Sequence, residues 1–397
     1  MISVDEARAR LLGLAVRMPS EVVPLARAGG RALAEDVVAP RAQPPFAASA
    51  MDGYAVAGPG AGGGASHRVV GEAAAGRPFA GRLAAGEAVR IFTGAPLPEG
   101  ADRVLIQEEA RRTGDAVAGD PVPEAGAHVR PAGVDFEAGH VLAAGRALRP
   151  AEVALAAAMG VGAVRVARRP EVAILMTGDE LAAPGGPLPE GGIFASNGYG
   201  LAAMLAEAGA APRVLPVARD HPGSLAAGFR LAAGADLLVT IGGASVGDHD
   251  LVAGAAGEAG LDLAFHKVRM RPGKPLLAGR LGGMAMVGLP GNPVSAMVCG
   301  VIFVIPMVRA MLGLAPGPAV ARAVLGAGLA ANGPREHYMR ARTEAGRVVA
   351  VDRQDSSLLT RLAEADCLIR RPVDDPARAA GDAVEVVSLA GADVPRV

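Results

Sequence analysis

Three apolar runs, each followed by a glycine-rich and charged loop, lie between Asp236 and Ala296: DLLVTIGGASVGDHD (236–250), FHKVRMRPGKPLLAG (265–279) and MAMVGLPGNPVSA (284–296). The pattern predicts a helix after the first and third loops. In a parallel α/β sheet, such loops meet at the C-terminal edge of the strands, where ligands bind. The stretch therefore predicts a doubly wound α/β domain with a binding site at that edge.

The loop residues suit an anion together with a hard cation. Glycines would let backbone amides approach a ligand closely at Gly242, Gly243 and Gly247. Positive charge comes from Lys267, Arg271 and Lys274. Oxygen ligands for a cation come from Asp248 and Asp250. Phosphate with a divalent metal is the simplest chemistry that needs all of these groups.

Composition limits the rest of the chain. Its 397 residues predict two to four domains, and a net charge of −1 gives no electrostatic case for nucleic acid or an anionic membrane. The two cysteines, Cys299 and Cys367, suggest neither a disulfide framework nor a thiolate metal site, which favours a cytoplasmic location. No signal peptide is visible at the N-terminus. The longest apolar run, Val294 to Val308, falls short of the ~20 residues of a membrane span, so we expect a buried core helix.

The remaining segments predict a multidomain α/β and β protein around the central domain. An amphipathic helix begins near Val4, with Ser3 and Glu6 in a capping-box pattern. We expect a discontinuous helical linker domain (1–45 and 134–170) with an all-β domain (46–133) inserted into it. The α/β domain (171–312) and a small C-terminal β barrel (313–397) follow.

Several motifs each allow two interpretations. SAMDGYAV (49–56) is typical of a β-hairpin, because Asp-Gly is a strong turn signal. LPGNPVS (289–295) is a strand-to-helix joint or an anion site at a helix N-terminus, with Asn292 as the N-cap. Thr93 is a plain turn residue or presents its hydroxyl to an oxyanion. Asp135 lies in an ordinary turn. Arg335 and Ser356-Ser357 would by default lie on the surface.

Read in order, SAMDGYAV, RIFTGAPLPEGADRVLIQEE, TGDEL followed by SNG, GGASVGDHD, RPGKP and LPGNPVSA closely resemble the molybdopterin molybdenumtransferases, the family that includes the E domain of gephyrin. The resemblance covers the whole chain. It implies a transferase that inserts molybdate into adenylylated molybdopterin in the last step of molybdenum cofactor synthesis, with Mg²⁺ required and AMP released. It also implies a homodimer whose site is shared between subunits, and transient contact with the adenylyltransferase and with molybdoenzymes.

The resemblance assigns roles residue by residue. Catalytic roles fall on Asp52, Thr93, Asp135, Glu180, Asp220, Asp250 and Lys274. Metal ligation falls on one or two of Asp179, Glu180, Asp220 and Asp250. Binding of the pterin nucleotide falls on Thr177, Gly178, Asn197, Gly242, Gly243, Ser245, Gly247, Lys267, Arg271, Pro290, Gly291, Asn292, Ser295, Arg335 and Ser356. Asp52, Thr93 and Asp135 would face the α/β domain of the partner subunit.

Two other functions fit part of the sequence. A molybdopterin adenylyltransferase or a nucleotide-cleaving relative would share TGDE and GGxSxG, but not the DGYA and FTGAP segments. A gephyrin-like scaffold or a pterin carrier would share the whole architecture without turnover. Molybdate-dependent AMP release distinguishes the transferase from both.

Overall fold

The computed structural model describes residues 1–58, 66–119, 123–243, 251–318 and 320–389. The helices within these ranges are α1 (Val4–Leu12), α2 (Pro150–Ala158), α3 (Asn197–Glu207), α4 (Pro222–Leu231), α5 (Leu251–Glu258), α6 (Pro293–Cys299), α7 (Ile305–Met311) and α8 (Leu359–Ala363). Ser3 accepts a hydrogen bond from the amide of Glu6, so the predicted N-cap of α1 is confirmed.

The strands are numbered along the chain. Those before the α/β sheet are β1 (Ser20–Pro24), β2 (Val37–Val38), β3 (Ala48–Ser49), β4 (Gly53–Val56), β5 (Ser66–Ala73), β6 (Glu87–Ile91), β7 (Arg103–Ile106), β8 (Ala110–Thr113), β9 (Ala116–Gly119), β10 (Val129–Arg130), β11 (Val141–Leu142) and β12 (Ala163–Ala167). The next are β13 (Glu171–Met176), β14 (Leu181–Ala182), β15 (Ile193–Phe194), β16 (Ala211–Val214), β17 (Leu237–Ile241), β18 (Leu261–His266), β19 (Met270–Arg271), β20 (Leu277–Leu281) and β21 (Met284–Leu289). The last are β22 (Val320–Val324), β23 (Glu336–Glu344), β24 (Arg347–Ala350), β25 (Cys367–Arg371) and β26 (Ala383–Ser388).

The central sheet has the strand order β16-β13-β17-β21-β20-β18. Its first four strands are parallel, as predicted. The expectation of a purely parallel sheet is wrong at one strand, because β20 runs antiparallel to both β21 and β18. Two reversals restore the direction, so β18 points the same way as β17 and β21. All three glycine-rich loops of the opening stretch therefore start at one edge.

Helices cover both faces of this sheet, which confirms the doubly wound class. Alternate residues of β13 show the division: Ile174 packs with α1, α3, α6 and α7, whereas Leu175 packs with α4 and α5. Among the described residues one helix, Pro293–Met311, is long and apolar enough to cross a membrane, with a mean hydropathy of 2.1. However, 78% of it is buried inside the structure. It is thus the core helix that the sequence predicted, although it extends beyond the apolar run and has a π-helical turn between α6 and α7.

The segment 46–133 forms a sheet of order β7-β4-β6-β5-β9-β8. The predicted hairpin at 49–56 is wrong. Strand β3 pairs with β10, while β4 lies between β6 and β7. Asp52 therefore lies at a bend between β3 and β4, which pair with different strands. Strand β4, with its apolar residues, pairs with two neighbouring strands.

The remaining parts frame these two sheets. A separate core joins residues 23–39 to residues 136–166, and it includes two antiparallel ribbons, β1 with β12 and β2 with β11, besides α2. The buried side chains of α1 belong to the core of the α/β sheet. The C-terminal sheet has the order β19-β23-β25-β26-β22, and β24 pairs with β23. A bridge from Leu325 to Val348 brings the β22 end back to β24, giving barrel-like closure. The domain boundaries themselves stay a prediction.

Candidate active site

A cavity of about 600 Å³ opens where β13, β17 and β21 end. Among its lining residues are ten that the sequence predicted: Thr177, Gly178, Glu180, Asn197, Asp220, Gly242, Gly243, Pro290, Gly291 and Asn292. They come from segments more than 100 residues apart. The parallel strands bring most of them together because the segments after β13, β16, β17 and β21 start at the same edge, whereas Asn197 follows β15 of the β14–β15 ribbon.

Backbone constraints keep this floor open. Gly242 has φ of +99°, and a Cβ there would lie 2.5 Å from the carbonyl oxygen of Thr177. A side chain at this position would therefore clash with the end of β13. Across the cavity, the Asn197 Nδ2 donates to the carbonyl oxygen of Gly291 at 2.6 Å, which fixes the start of α3 against the loop before α6.

Thr177 carries an unused hydroxyl at this floor. The residue is only 3% exposed, and within the described part of the chain its Oγ1 has no hydrogen-bond partner. The same oxygen would lie 3.0 Å and 3.1 Å from Cβ atoms placed on Gly242 and Gly243. A buried hydroxyl without a partner is costly, so this one is a candidate contact for a ligand in the cavity that it lines.

Carboxylates lie along one side of the cavity. Glu180 and Asp220 line it, and the Asp179 Oδ1 accepts a hydrogen bond from the Asp220 amide at 3.2 Å. Within the described ranges, no group of three or more His, Cys, Asp or Glu side chains is arranged to hold a metal ion. Mg²⁺ commonly takes only one or two protein carboxylates together with substrate phosphate, so this donor set fits that ion.

The C-terminal segment closes another side. Ser357 lines the cavity, and the Asn292 Nδ2 donates to the Ser356 Oγ at 3.0 Å. The amide of Val294 donates to the carbonyl oxygen of Ser356 at 3.0 Å. Asn292 occupies the N-cap position of α6 as predicted, but its side chain binds this segment and does not cap the helix. Ser357 is exposed, as expected by default, and Ser356 is partly buried in this contact. Nearby, Ser295 is buried in the first turn of α6.

Three basic residues come from the loop beside Pro275, another lining residue. The amide of Lys267 donates to Leu276, and the amide of Val268 donates to the carbonyl oxygen of Lys274. Arg271, in β19, pairs in register with His337 of β23. Burial, together with Arg271, Arg371, Arg335 and Arg340, lowers the pKa of His337 to about 3. The structure thus brings Arg271 and Arg335 to one cationic cluster around a neutral histidine.

Asp52 and Thr93 form a separate pair in the β sheet of residues 46–133. The Asp52 Oδ1 accepts hydrogen bonds from the Thr93 amide at 2.8 Å and from the Thr93 Oγ1 at 2.7 Å. These two bonds, with Arg90 as a nearby charge, hold the pKa of Asp52 below its usual value. Neither residue lines the cavity of the same chain. Asp135 is exposed elsewhere, where its amide donates to Gln43. Ser245, Gly247, Asp248 and Asp250 lie outside the described residues.

Three family models match successive parts of the chain: the MoeA N-terminal region (domain I and II) over residues 2–160, a probable molybdopterin binding domain over 173–310, and the MoeA C-terminal region (domain IV) over 322–389. Molybdopterin molybdenumtransferase 2 of Mycobacterium tuberculosis is 39% identical, covering 92% of this chain and 94% of that protein. The chain belongs to the molybdopterin molybdenumtransferase family.

Another member of this transferase family, from a Nostoc species, is 36% identical over 81% of this chain and 76% of its own length. The crystal structure of the molybdopterin biosynthesis moeA protein from Pyrococcus horikoshii superposes with a TM-score of 0.86 at 26% identity. It covers 98% of this chain and all of that one. The predicted family and fold class are confirmed.

The sequence did not indicate several residues that shape this site. Arg340 is buried, and its guanidinium donates to the carbonyl oxygens of Arg353 and Leu358, at 3.0 Å and 3.2 Å. It therefore holds the segment that carries Ser356 and Ser357. Ile193 and Phe194 also line the cavity while remaining 55% and 45% exposed.

Proposed function

We propose that this chain transfers molybdenum from molybdate into adenylylated molybdopterin and releases AMP, the last step of molybdenum cofactor synthesis. The observation that carries the proposal is the cavity floor, where open glycine backbone, a buried hydroxyl with no partner among the described residues and two carboxylates surround a space of about 600 Å³. Family membership supports the coarser statement that the chain belongs to molybdenum cofactor biosynthesis.

Different groups of the chain bind different parts of the substrate. Thr177, Asn197 and the glycine loops suit the phosphates, because amides and hydroxyls bind anionic oxygens in a concave backbone. Lys274 and Arg271, from the loop beside Pro275, supply charge for the anhydride and for the molybdate dianion. Ile193 and Phe194 provide an apolar wall on which a flat heteroaromatic ring of the substrate rests.

Glu180 and Asp220, with Asp179 behind them, would hold Mg²⁺ against the phosphates. When bound, that ion supplies charge neutralisation at the anhydride. An oxygen of molybdate would attack the pterin phosphate as the anhydride bond to the AMP portion breaks and AMP leaves. The Mo–O bond to that oxygen would break as the two dithiolene sulfurs bond to molybdenum, so that the oxygen stays on the pterin phosphate. Such a displacement depends mainly on positioning and charge, which is what the loops at this edge supply.

A second copy of the chain would complete the site. Asp52 and Thr93 present an ionised carboxylate and a hydroxyl away from this cavity, whose lining includes none of the described residues of segment 46–133. Exposed valines from the ribbon of β2 and β11 offer an apolar face, since Val38 and Val141 are cross-strand neighbours and both are exposed. A homodimer formed through such a face would let Asp52 reach the partner's cavity. We place the enzyme in the cytoplasm, where its two buried, free cysteines would stay reduced.

The test follows AMP after mixing the protein with adenylylated molybdopterin, Mg²⁺ and molybdate. Molybdate-dependent release of AMP is the expected result. Formation of adenylylated molybdopterin from ATP would instead indicate an adenylyltransferase. Binding of the nucleotide without AMP release would indicate a carrier or scaffold, and either result would overturn the proposal.

A further inference from the structure

Arg90 is the centre of a network of contacts with residues that adjoin Asp52. Its guanidinium lies between two aromatic rings, with Cζ 5.1 Å from the ring centroid of Tyr54 and 4.8 Å from that of Phe92. Tyr54 is also its register partner in the neighbouring strand β4. Stacking on two rings restricts the plane of this guanidinium more than the plane of an ordinary surface arginine is restricted.

The same guanidinium contacts the backbone of Gly53, which follows Asp52, and the side chain of Gln107. One terminal nitrogen donates to the carbonyl oxygen of Gly53 at 3.1 Å, and the other donates to the Gln107 Oε1 at 2.8 Å. The amide of Gln107 in turn donates to the carbonyl oxygen of Asp52 at 3.0 Å. Arg90 is therefore bonded directly to the carbonyl oxygen of Gly53, the residue after Asp52. It is also linked through Gln107 to the carbonyl oxygen of Asp52 itself.

We propose that Arg90 is a positioning residue that holds the Asp52 carboxylate, and the Thr93 hydroxyl bonded to it, in the orientation in which they meet the substrate on a second copy of the chain. This inference rests on the proposed function. The tie is needed because β3 and β4 pair with different strands, so no hairpin ladder fixes the bend at Asp52. Lysine could not replace Arg90, since an ammonium has neither the planar fork nor the stacking face.

The decisive variant is Arg90→Met, which keeps an unbranched side chain and removes both donors. Its kcat for molybdate-dependent AMP release should fall by roughly 10- to 100-fold, as expected for a misplaced catalytic group. The KM for adenylylated molybdopterin should stay within about twofold, because the nucleotide binds at the cavity of the α/β domain. Arg90→Lys should not restore kcat. Gln107→Met, an exposed substitution that frees only one donor of Arg90, should lower kcat less.

Arg82→Met is the matched control. Arg82 lies in the same segment, and its partner Glu99 is as exposed as Arg82 itself. Its loss should leave kcat and KM unchanged. Wild-type kcat in folded Arg90→Met, or a loss confined to KM, would overturn the proposal. If Arg90→Met does not fold, wild-type kcat in Gln107→Met overturns it.

A second measurement does not depend on turnover. The Thr93 amide donates to Asp52, so hydrogen exchange at this amide reports on the position of the carboxylate. Exchange should be faster by about tenfold or more in Arg90→Met and unchanged in Arg82→Met. Unchanged exchange in Arg90→Met would reject the positioning role. If the wild-type protein released no AMP while this exchange increased, only the proposed function would fail.

Discussion

The cavity of the α/β sheet and the Asp52–Thr93 pair differ in how they present polar groups. The cavity is concave, and its lining combines glycine backbone, the buried Thr177 hydroxyl and the carboxylates of Glu180 and Asp220. The pair lies on an open surface, with a carboxylate held by two hydrogen bonds and a guanidinium beneath it. A concave site can hold a substrate alone, whereas an exposed pair can act only on something presented to it. In the proposed function the cavity therefore binds the substrate and carries the metal-holding carboxylates, and the exposed pair reaches the substrate from a second copy of the chain.

Subunit mixing tests most directly whether the cavity of one subunit and the Asp52–Thr93 pair of another form one site. Asp52→Ala and Lys274→Ala should each reduce AMP release by about 100-fold or more, since each removes a charge at the reacting groups. Mixing the two variants and allowing subunit exchange should recover up to about a quarter of wild-type activity, because a mixed dimer has one intact shared site. If mixed dimers form and no activity returns, the two residues do not share a site across subunits.

Asp52 of the exposed pair and His337 in β23 of the C-terminal sheet keep their charge states by opposite means, which predicts different pH behaviour. Hydrogen bonds keep Asp52 ionised, whereas burial keeps His337 neutral down to a pKa of about 3. The unfolded chain takes up a proton at this histidine below about pH 6.5, while the folded chain does not until about pH 3. Stability from this group is therefore complete above pH 6.5 and is lost as the pH falls from 6.5 toward 3.

The size of the histidine effect can be checked by denaturant unfolding. Lowering the pH from 7 to 5 should cost roughly 2 kcal/mol of unfolding free energy through His337. His337→Gln removes the titrating group, so its loss of stability over the same range should be smaller by about that amount. Equal losses in the two proteins would mean that His337 protonates freely in the fold.

Thr177→Val sharpens the cavity side of the comparison. The hydroxyl has no protein partner within the described residues, so its removal should leave the unfolding free energy unchanged or raise it by about 1 kcal/mol. Affinity for adenylylated molybdopterin should fall roughly tenfold if the substrate supplies the partner. Thr240→Val is the control, because this hydroxyl is equally buried in β17 but does not line the cavity. Equal affinities in the two variants would exclude a ligand role for Thr177.

The smallest effect concerns the apolar wall. The chain has no tryptophan, so Phe194→Trp introduces a single fluorophore at the cavity mouth. Its emission should be quenched by AMP or by a free pterin, whichever ring rests there, while affinity changes by no more than about threefold. Leu188→Trp places the same probe at an exposed residue that does not line the cavity and should not respond. Quenching at both positions, or at neither, would show that Ile193 and Phe194 do not form a wall of the binding site.

The sequence predicted the cavity better than its surroundings. Thr177, Gly242 and Asn292 each follow an apolar strand, and parallel topology alone brings such residues together. The antiparallel direction of β20 was hidden, because a buried strand has the same apolar run in either direction. The contact between Thr93 and Asp52 spans 41 positions and depends on the pairing of β4 with β6, which neither motif encodes. Arg340 was missed because its acceptors are carbonyl oxygens, which no sequence pattern reveals.

The long apolar helix Pro293–Met311 has a consequence for biosynthesis. Its composition would suit a membrane anchor, so an exposed copy on the ribosome would be open to capture by the insertion machinery. Most of the elements it packs against, including α1, α3 and β21, precede it in the chain and therefore emerge from the ribosome before it. The order of synthesis thus offers this helix a prepared apolar surface, and its burial can begin before the C-terminal sheet exists.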